Sequence, residues 1–270
     1  MATKTIVLIT GGNTGIGYES VKALYASPST HIILMGSRSL DKAHAAIETI
    51  RSEVPDSKSE IVPLQIDIED DTSIENALRE VESKYERVDA LVNNAGGTFD
   101  GIMLENPSAK GIREAWDHTY SLNVTSTDVF TRAFAPLLLK SSQPRLLFVT
   151  SGLSSLRTCS DGSIGVLATS VPAGWPKPKT PGALAYRTSK VALNMLMLEW
   201  TRLLKADGVA VFCISPGFLA TGLGGIGKEK LKQMGAGDAS LGGIFIKDVV
   251  EGARDDDSGK VVNSAGLQPW

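Results

Sequence analysis

Six short apolar runs, separated by longer stretches of helical period, constrain this chain more than any other feature. Strands are expected at Thr5–Thr10, His31–Met35, Ile61–Ile66, Ala90–Asn93, Leu146–Thr150 and Val209–Ile214, with a seventh at Lys260–Asn263. Helices are expected at Ile16–Ala26, Leu40–Glu53, Ser73–Tyr85, Gly111–Leu139 and Leu184–Leu204. Parallel strands need a crossover of a dozen residues or more, and these segments supply it. Runs such as IVLIT, HIILM and RLLFV are apolar on both alternating faces, as strands covered by helices on both sides require. The expectation is a doubly wound α/β fold with a mostly parallel, seven-stranded sheet.

The chain has 270 residues, 42% of them hydrophobic, enough for one sizeable core; a single domain over 1–270 is expected. A net charge of -3 and 6% aromatics give no global basic field and no base-stacking surface, so no nucleic-acid partner is expected. Two cysteines and three scattered histidines lack disulfide or metal-ligand spacing; no metal is expected. Met1 leads directly into a strand-like segment without a signal-peptide pattern, and no apolar run reaches the length of a membrane span. The expected location is cytoplasmic, away from membranes. The Pro- and Gly-rich segment Val171–Gly182 breaks the alternation and reads as a surface loop. The acidic run Glu69-Asp70-Asp71 reads as a helix opening, and Asp255-Asp256-Asp257 as a solvated turn.

Directly after the first strand comes Thr10-Gly-Gly-Asn-Thr-Gly-Ile-Gly17. Glycines there allow a tight turn and a close approach to a pyrophosphate, with the following helix N-terminus supplying N–H donors. The spacing T-G-x-x-x-G-x-G resembles the N-terminal motif of the short-chain dehydrogenase/reductase superfamily. Further motifs of that family follow in order: Asp67-Ile68 after the third strand, Asn93-Asn94-Ala95-Gly96 after the fourth, and Pro216-Gly217 through Leu219 to Thr221 after the sixth. The resemblance covers nearly the whole chain and is strongest to carbonyl-reductase-like and fungal members. It implies a Rossmann-type fold and a nicotinamide dinucleotide held by Gly11, Asn13, Thr14, Gly15, Ile16, Gly17, Asp67, Ile68, Asn93, Asn94, Ala95, Gly96, Pro216, Gly217, Leu219 and Thr221.

An NAD-specific site usually carries an acid at the end of the second strand for the ribose 2′-hydroxyl. Gly36-Ser37-Arg38 stands there instead. Ser37 can donate to a 2′-phosphate and Arg38 can pair with it, so NADP(H) is expected in preference to NAD(H). Thr14 stands where some NADP-dependent relatives carry a cation.

Tyr186-Arg-Thr-Ser-Lys190 opens the last long helix, and residues four apart share a helix face. The resemblance makes Tyr186 the proton carrier and Lys190 its partner and ribose anchor. It makes Ser151 the substrate-orienting serine and Asn123 the holder of a relay water. An ammonium near the phenol, together with the positive nicotinamide when oxidised, is expected to lower its pKa. Ser154 and Ser155 compete with Ser151 by register.

Tyr186 follows Ser151 by 35 positions, where many family members space the pair by about a dozen. The extra stretch, about 156–182, is expected to line the substrate entrance and to favour a monomer or dimer over the usual tetramer. Gly97–Asp100, Gly152–Leu156, Trp175 and Phe218–Gly225 are the expected substrate contacts, with Phe99, Leu153, Trp175 and Leu223 as apolar candidates. The expected activity is hydride transfer to a ketone, aldehyde or quinone, or the reverse alcohol oxidation, on a small-molecule carbonyl or alcohol. Two other readings stay open: non-redox use of the site by a dehydratase, isomerase or cyclase, and a non-catalytic NADP(H)-binding sensor.

Overall fold

The computed structural model describes residues 4–163, 170–178 and 182–270. The expected strands form at β1 Thr5–Ile9, β2 His31–Ser37, β3 Glu60–Gln65, β4 Ala90–Asn93, β5 Arg145–Val149, β6 Ala210–Ile214 and β7 Lys260–Asn263. An eighth, β8 Gly266–Leu267, turns back antiparallel on β7. The sheet therefore has eight strands rather than the seven expected, in the order β3-β2-β1-β4-β5-β6-β7-β8. A two-residue strand carries no period to read; Ser264 and Ala265 alone close the hairpin.

Alternate residues of each strand face opposite cores. Ile6 and Leu8 of β1 pack with α3 (Asp71–Tyr85), α6 (Ser126–Leu138) and α8 (Leu184–Leu203), against Ile74, Val81, Phe130, Phe134, Leu193 and Met197. Val7 and Ile9 pack with α1 (Gly15–Tyr25), α2 (Leu40–Glu53) and α10 (Ala239–Val250), against Val21, Leu24, Ile47, Ile50, Ile246 and Val249. Burial on both faces is what the unbroken apolar runs demanded. Helix α10 lies against α1 because Gly243 has no side chain: a Cβ there would sit 2.4 Å from the carbonyl carbon of Glu19.

Local chemistry places the helix ends. Ser39 caps α2 through Lys42 N–H, and Asp70 caps α3 through Thr72 and Ser73 N–H. The helix expected over Gly111–Leu139 is instead α5 (Ala109–Tyr120), a π turn at Ser121–Thr125, and α6. The π turn adds a residue to the spiral and carries Asn123, buried, at its centre. Shorter pieces complete the order: α4 (Asp100–Glu105), α7 (Leu156–Ser160) and α9 (Lys228–Gln233). Helix α7 occupies the start of the segment expected to be loop. Its described remainder is irregular and exposed through Val171–Pro178, while 164–169 and 179–181 lie outside the described residues. Among the described residues no helix is long and apolar enough to cross a membrane.

The strand order reverses between β1 and β4, so crossovers leave these strands in opposite directions and open a crevice at their C-terminal ends. The glycine turn follows β1, Asn93–Gly96 closes β4, and Ser151 follows β5.

Candidate active site

Gly11 and Gly15 adopt left-handed backbone, φ +64° and +57°, which other residues reach at a cost. Gly17 is required by closeness: a Cβ there would lie 2.3 Å from the Gly11 carbonyl oxygen and 2.5 Å from Asn94 Nδ2. Asn94 clamps the turn, its amide donating to the carbonyls of Thr10 (2.8 Å) and Gly11 (3.2 Å). The Thr10 hydroxyl in turn accepts from the N–H groups of Asn94 and Ala95. Helix α1 starts with no side-chain cap at Thr14 and no acid in its first turn. Its N-terminal N–H groups and positive dipole end thus suit a dinucleotide's pyrophosphate.

The other expected cofactor residues divide. Asn93 is buried and donates to Thr131 Oγ1 (3.0 Å), and the Ile68 side chain is buried in the core; both act on packing. Asp67 keeps one carboxylate oxygen on Glu69 N–H (3.1 Å). Thr221 is buried over the turn, with its Cβ 3.9 Å from the Cβ position of Gly15, beyond Pro216, Gly217 and the bridge of Leu219 to Gly237. Ser37 is buried, and its hydroxyl is engaged with Ser39, donating to the carbonyl at 3.0 Å and accepting from the N–H at 3.2 Å. Arg38 is exposed, with no hydrogen bond or ion pair to any described residue.

At the other end of the crevice, Tyr186 and Lys190 are buried on one face of α8. Lys190 Nζ donates to the Val149 carbonyl (2.8 Å) and lies 5.7 Å from the Tyr186 ring centroid. Burial lowers the lysine to about 8, and the same burial raises the thiol of Cys213 behind it. The phenol does not follow the expectation from sequence. Burial pushes the Tyr186 pKa up, and a hydrogen bond from Ser151 only partly offsets this. Desolvation of the phenolate is the largest cause, and the Lys190 ammonium bond goes to the Val149 carbonyl rather than to the phenol.

The three competing serines differ in their partners. Ser154 is buried among Thr150, Asn194 and Gln268, and Ser155 caps α7 through Thr158 N–H. Ser151 alone of the three faces the phenol, positioned as the cap of the turn Gly152–Ser154. Asn123 is engaged on every side: its carbonyl accepts from Gly97 N–H (2.9 Å), and its amide donates to the Gly97 carbonyl (2.8 Å) and Ser189 Oγ (2.9 Å).

Two supporting roles escaped the sequence reading, one of them at Asp100, which was expected only as part of the substrate-contact stretch Gly97–Asp100. Gln268 Nε2 donates to the Ser151 carbonyl and to Ser154 Oγ, both at 3.2 Å, across 117 residues of chain from Ser151. Asp100, buried at the start of α4, accepts from the N–H groups of Ala185 (2.9 Å) and Tyr186 (3.0 Å). The T-x-D pattern just past Gly97 was the available signal, but an acid opening a helix reads as serving its own helix. Of the apolar candidates, Phe99 packs on His118 (5.4 Å between centroids), Leu153 is half-buried, Leu223 is exposed, and Trp175 is 87% exposed.

Residues 5–161 match the short chain dehydrogenase family. A short-chain dehydrogenase/reductase of Phoma sp. (eupG) is 47% identical, covering 99% of this chain and 98% of the relative. Another from Talaromyces stipitatus (tropE) is 42% identical, covering 100% and 99%. Among solved structures, the NADPH-bound carbonyl reductase from chicken fatty liver superposes with a TM-score of 0.75 at 24% identity, covering the whole of both chains. A 3-oxoacyl-[acyl-carrier protein] reductase from Brucella melitensis in complex with NAD gives 0.72 at 20% identity, covering 97% of this chain and 96% of that one. These two share the fold with different nicotinamide cofactors bound. With the glycine turn, the serine–tyrosine–lysine cluster and this likeness along its whole length, the chain belongs to the short-chain dehydrogenase/reductase family of oxidoreductases.

Proposed function

We propose that this chain is an NADPH-dependent carbonyl reductase, able in reverse to oxidise the alcohol, and that its substrate is a largely apolar ketone, aldehyde or quinone. The observation that carries the reading is the buried Tyr186 phenol beside the Ser151 hydroxyl and Lys190, at the C-terminal sheet edge next to the glycine turn. The bound nicotinamide supplies the hydride. Ser151 and Tyr186 donate hydrogen bonds to the carbonyl oxygen, drawing electron density from the carbon that accepts the hydride. Tyr186 then gives up its proton to that oxygen. A phenol that burial keeps protonated is the species a reduction needs. Lys190, cationic below about pH 8, stabilises the phenolate left behind. Asn123 fixes Gly97 and Ser189 with its side chain, leaving its main chain to hold a water from which the proton is restored.

The NADPH preference rests on Arg38, a free guanidinium at the end of β2 where an acid would select NAD. Ser37 contributes less, its hydroxyl being committed to Ser39. The apolar substrate class rests on large side chains left exposed on the segments after β5 and β6: Leu156, Trp175, Phe218 and Leu223.

The test is oxidation of NADPH and of NADH against a panel of aldehydes, ketones and quinones, with Tyr186→Phe run beside the wild type. Turnover with NADPH, falling by about 1000-fold in the variant, is expected. Turnover that survives the substitution would overturn the proton-donor assignment, and equal kcat/KM for both cofactors the preference.

A further inference from the structure

We propose that Asp100 is a positioning residue for Tyr186, acting as an N-cap supplied from outside the helix it caps. The first N–H groups of any helix lack partners within it, and a side-chain oxygen just upstream normally accepts from them. Among the described residues, helix α8 has no such oxygen at its own N-cap. It starts after Ala183, a residue with no polar side chain and with left-handed backbone at φ +44°. Tyr186 is the third residue of this helix, in the turn that frays first, and its own N–H has no acceptor one turn back.

Asp100 supplies what α8 lacks. Its Oδ1 accepts from Ala185 N–H at 2.9 Å and its Oδ2 from Tyr186 N–H at 3.0 Å, 85 and 86 positions away in sequence. The carboxylate is held in turn by the Thr98 hydroxyl, which donates to Oδ2 at 3.0 Å. These bonds reach the backbone of the proton donor itself, and both Ala185 and Tyr186 are buried. The described segment Val171–Pro178 upstream is exposed. Lys190, one turn deeper, is fixed separately through Val149. Loss of the Asp100 bonds should therefore loosen the phenol and leave the lysine in place.

This inference rests on Tyr186 being the proton donor, and its test has one arm that needs no turnover. Asp100→Ala, Asp100→Asn and Thr98→Val are compared with wild type for kcat, for NADPH dissociation constant by fluorescence, and for Tyr186 ionisation in the cofactor-free protein. The last is read at 295 nm as the difference between each protein and its own Tyr186→Phe partner. Asp100→Ala should lower kcat about 10- to 30-fold per nucleotide-binding site while the dissociation constant stays within twofold. Its Tyr186 should ionise at lower pH than in wild type, because a frayed helix end admits water to the phenolate. Asp100→Asn, which keeps one acceptor oxygen, should recover a substantial part of kcat, and Thr98→Val should lose only about twofold. Unchanged kcat per site and an unchanged Tyr186 titration would overturn the proposal, as would equal loss of kcat and nucleotide affinity. Should Asp100→Ala not fold, the Asn and Val variants decide on the same readouts. A wild type without reductase activity would defeat the reductase reading alone, and the titration would still judge Asp100.

Discussion

At the glycine turn the chain is shaped by what its residues lack, whereas around Ser151 and Tyr186 it is shaped by what they reach for. Gly11, Gly15 and Gly17 let the backbone approach itself and a ligand, and one side chain, Asn94, clamps the turn. The proposed catalytic cluster is held by buried side chains from four separate stretches of chain: Asp100, Asn123, Lys190 and Gln268. The first kind of site fails when volume is added, the second when a partner is removed. Nucleotide affinity and chemical rate should therefore respond to different substitutions.

The largest effect expected from breaking this division is at Gly17→Ala. Its methyl would overlap the Gly11 carbonyl and the Asn94 amide, and relief by overpacking costs about 1–3 kcal/mol. The NADPH dissociation constant should rise about 10- to 100-fold, with kcat at saturating cofactor within about threefold of wild type. A kcat that falls as far as affinity would show the two ends to be one mechanical unit.

Lys190→Met separates stability from chemistry at the second site. Burial lowers Lys190 to about 8 in the folded chain from 10.5 in the unfolded one, a penalty of about 3 kcal/mol when both are charged. Its bond to Val149 offsets about 1 kcal/mol of that. The variant should thus melt about 5 °C higher at pH 7. Between pH 8 and 10.5 the unfolded chain keeps a proton that the folded chain has released, so wild-type stability gains on the variant as pH rises. Cys213, present in both proteins, leaves the difference largely untouched. Thermal melts at pH 7 and pH 10 give the comparison, and a gain independent of pH would mean that packing, not charge burial, is responsible.

Gln268→Leu should have the smallest effect. Losing its bonds to Ser151 and Ser154 should lower kcat about fivefold, with NADPH affinity unchanged. Steady-state rates set beside a nucleotide titration check this, and a change in affinity would place Gln268 on the wrong side of the division.

The same contrast explains what could be read without coordinates. Helix α2 forms at Leu40–Glu53 as expected, because its cap Ser39 and its period are both local. The glycine turn is legible for the same reason: its residues lie within eight positions and their requirement is backbone freedom. Ser37 looked available to a phosphate because its bond to Ser39 depends on the backbone bend after β2. The break in the Gly111–Leu139 helix was hidden because Asn123 is drawn to Gly97, 26 residues away, across a π turn that leaves no compositional mark. The supporting roles of Asp100 and Gln268 were missed because their partners are 85 or more positions distant. The raised Tyr186 pKa needed the depth of burial, which a Tyr-x-x-x-Lys spacing does not contain.

The β7–β8 hairpin has a consequence for the order of synthesis. Every residue of the glycine turn, its Asn94 clamp and Arg38 lie in the first hundred positions, so they leave the ribosome early. Gln268 follows Ser151 by 117 residues and reaches it only by way of that hairpin. A growing chain thus completes the glycine turn and its clamp long before Gln268 can bond the Ser151 carbonyl, and that contact has to wait for the hairpin to close.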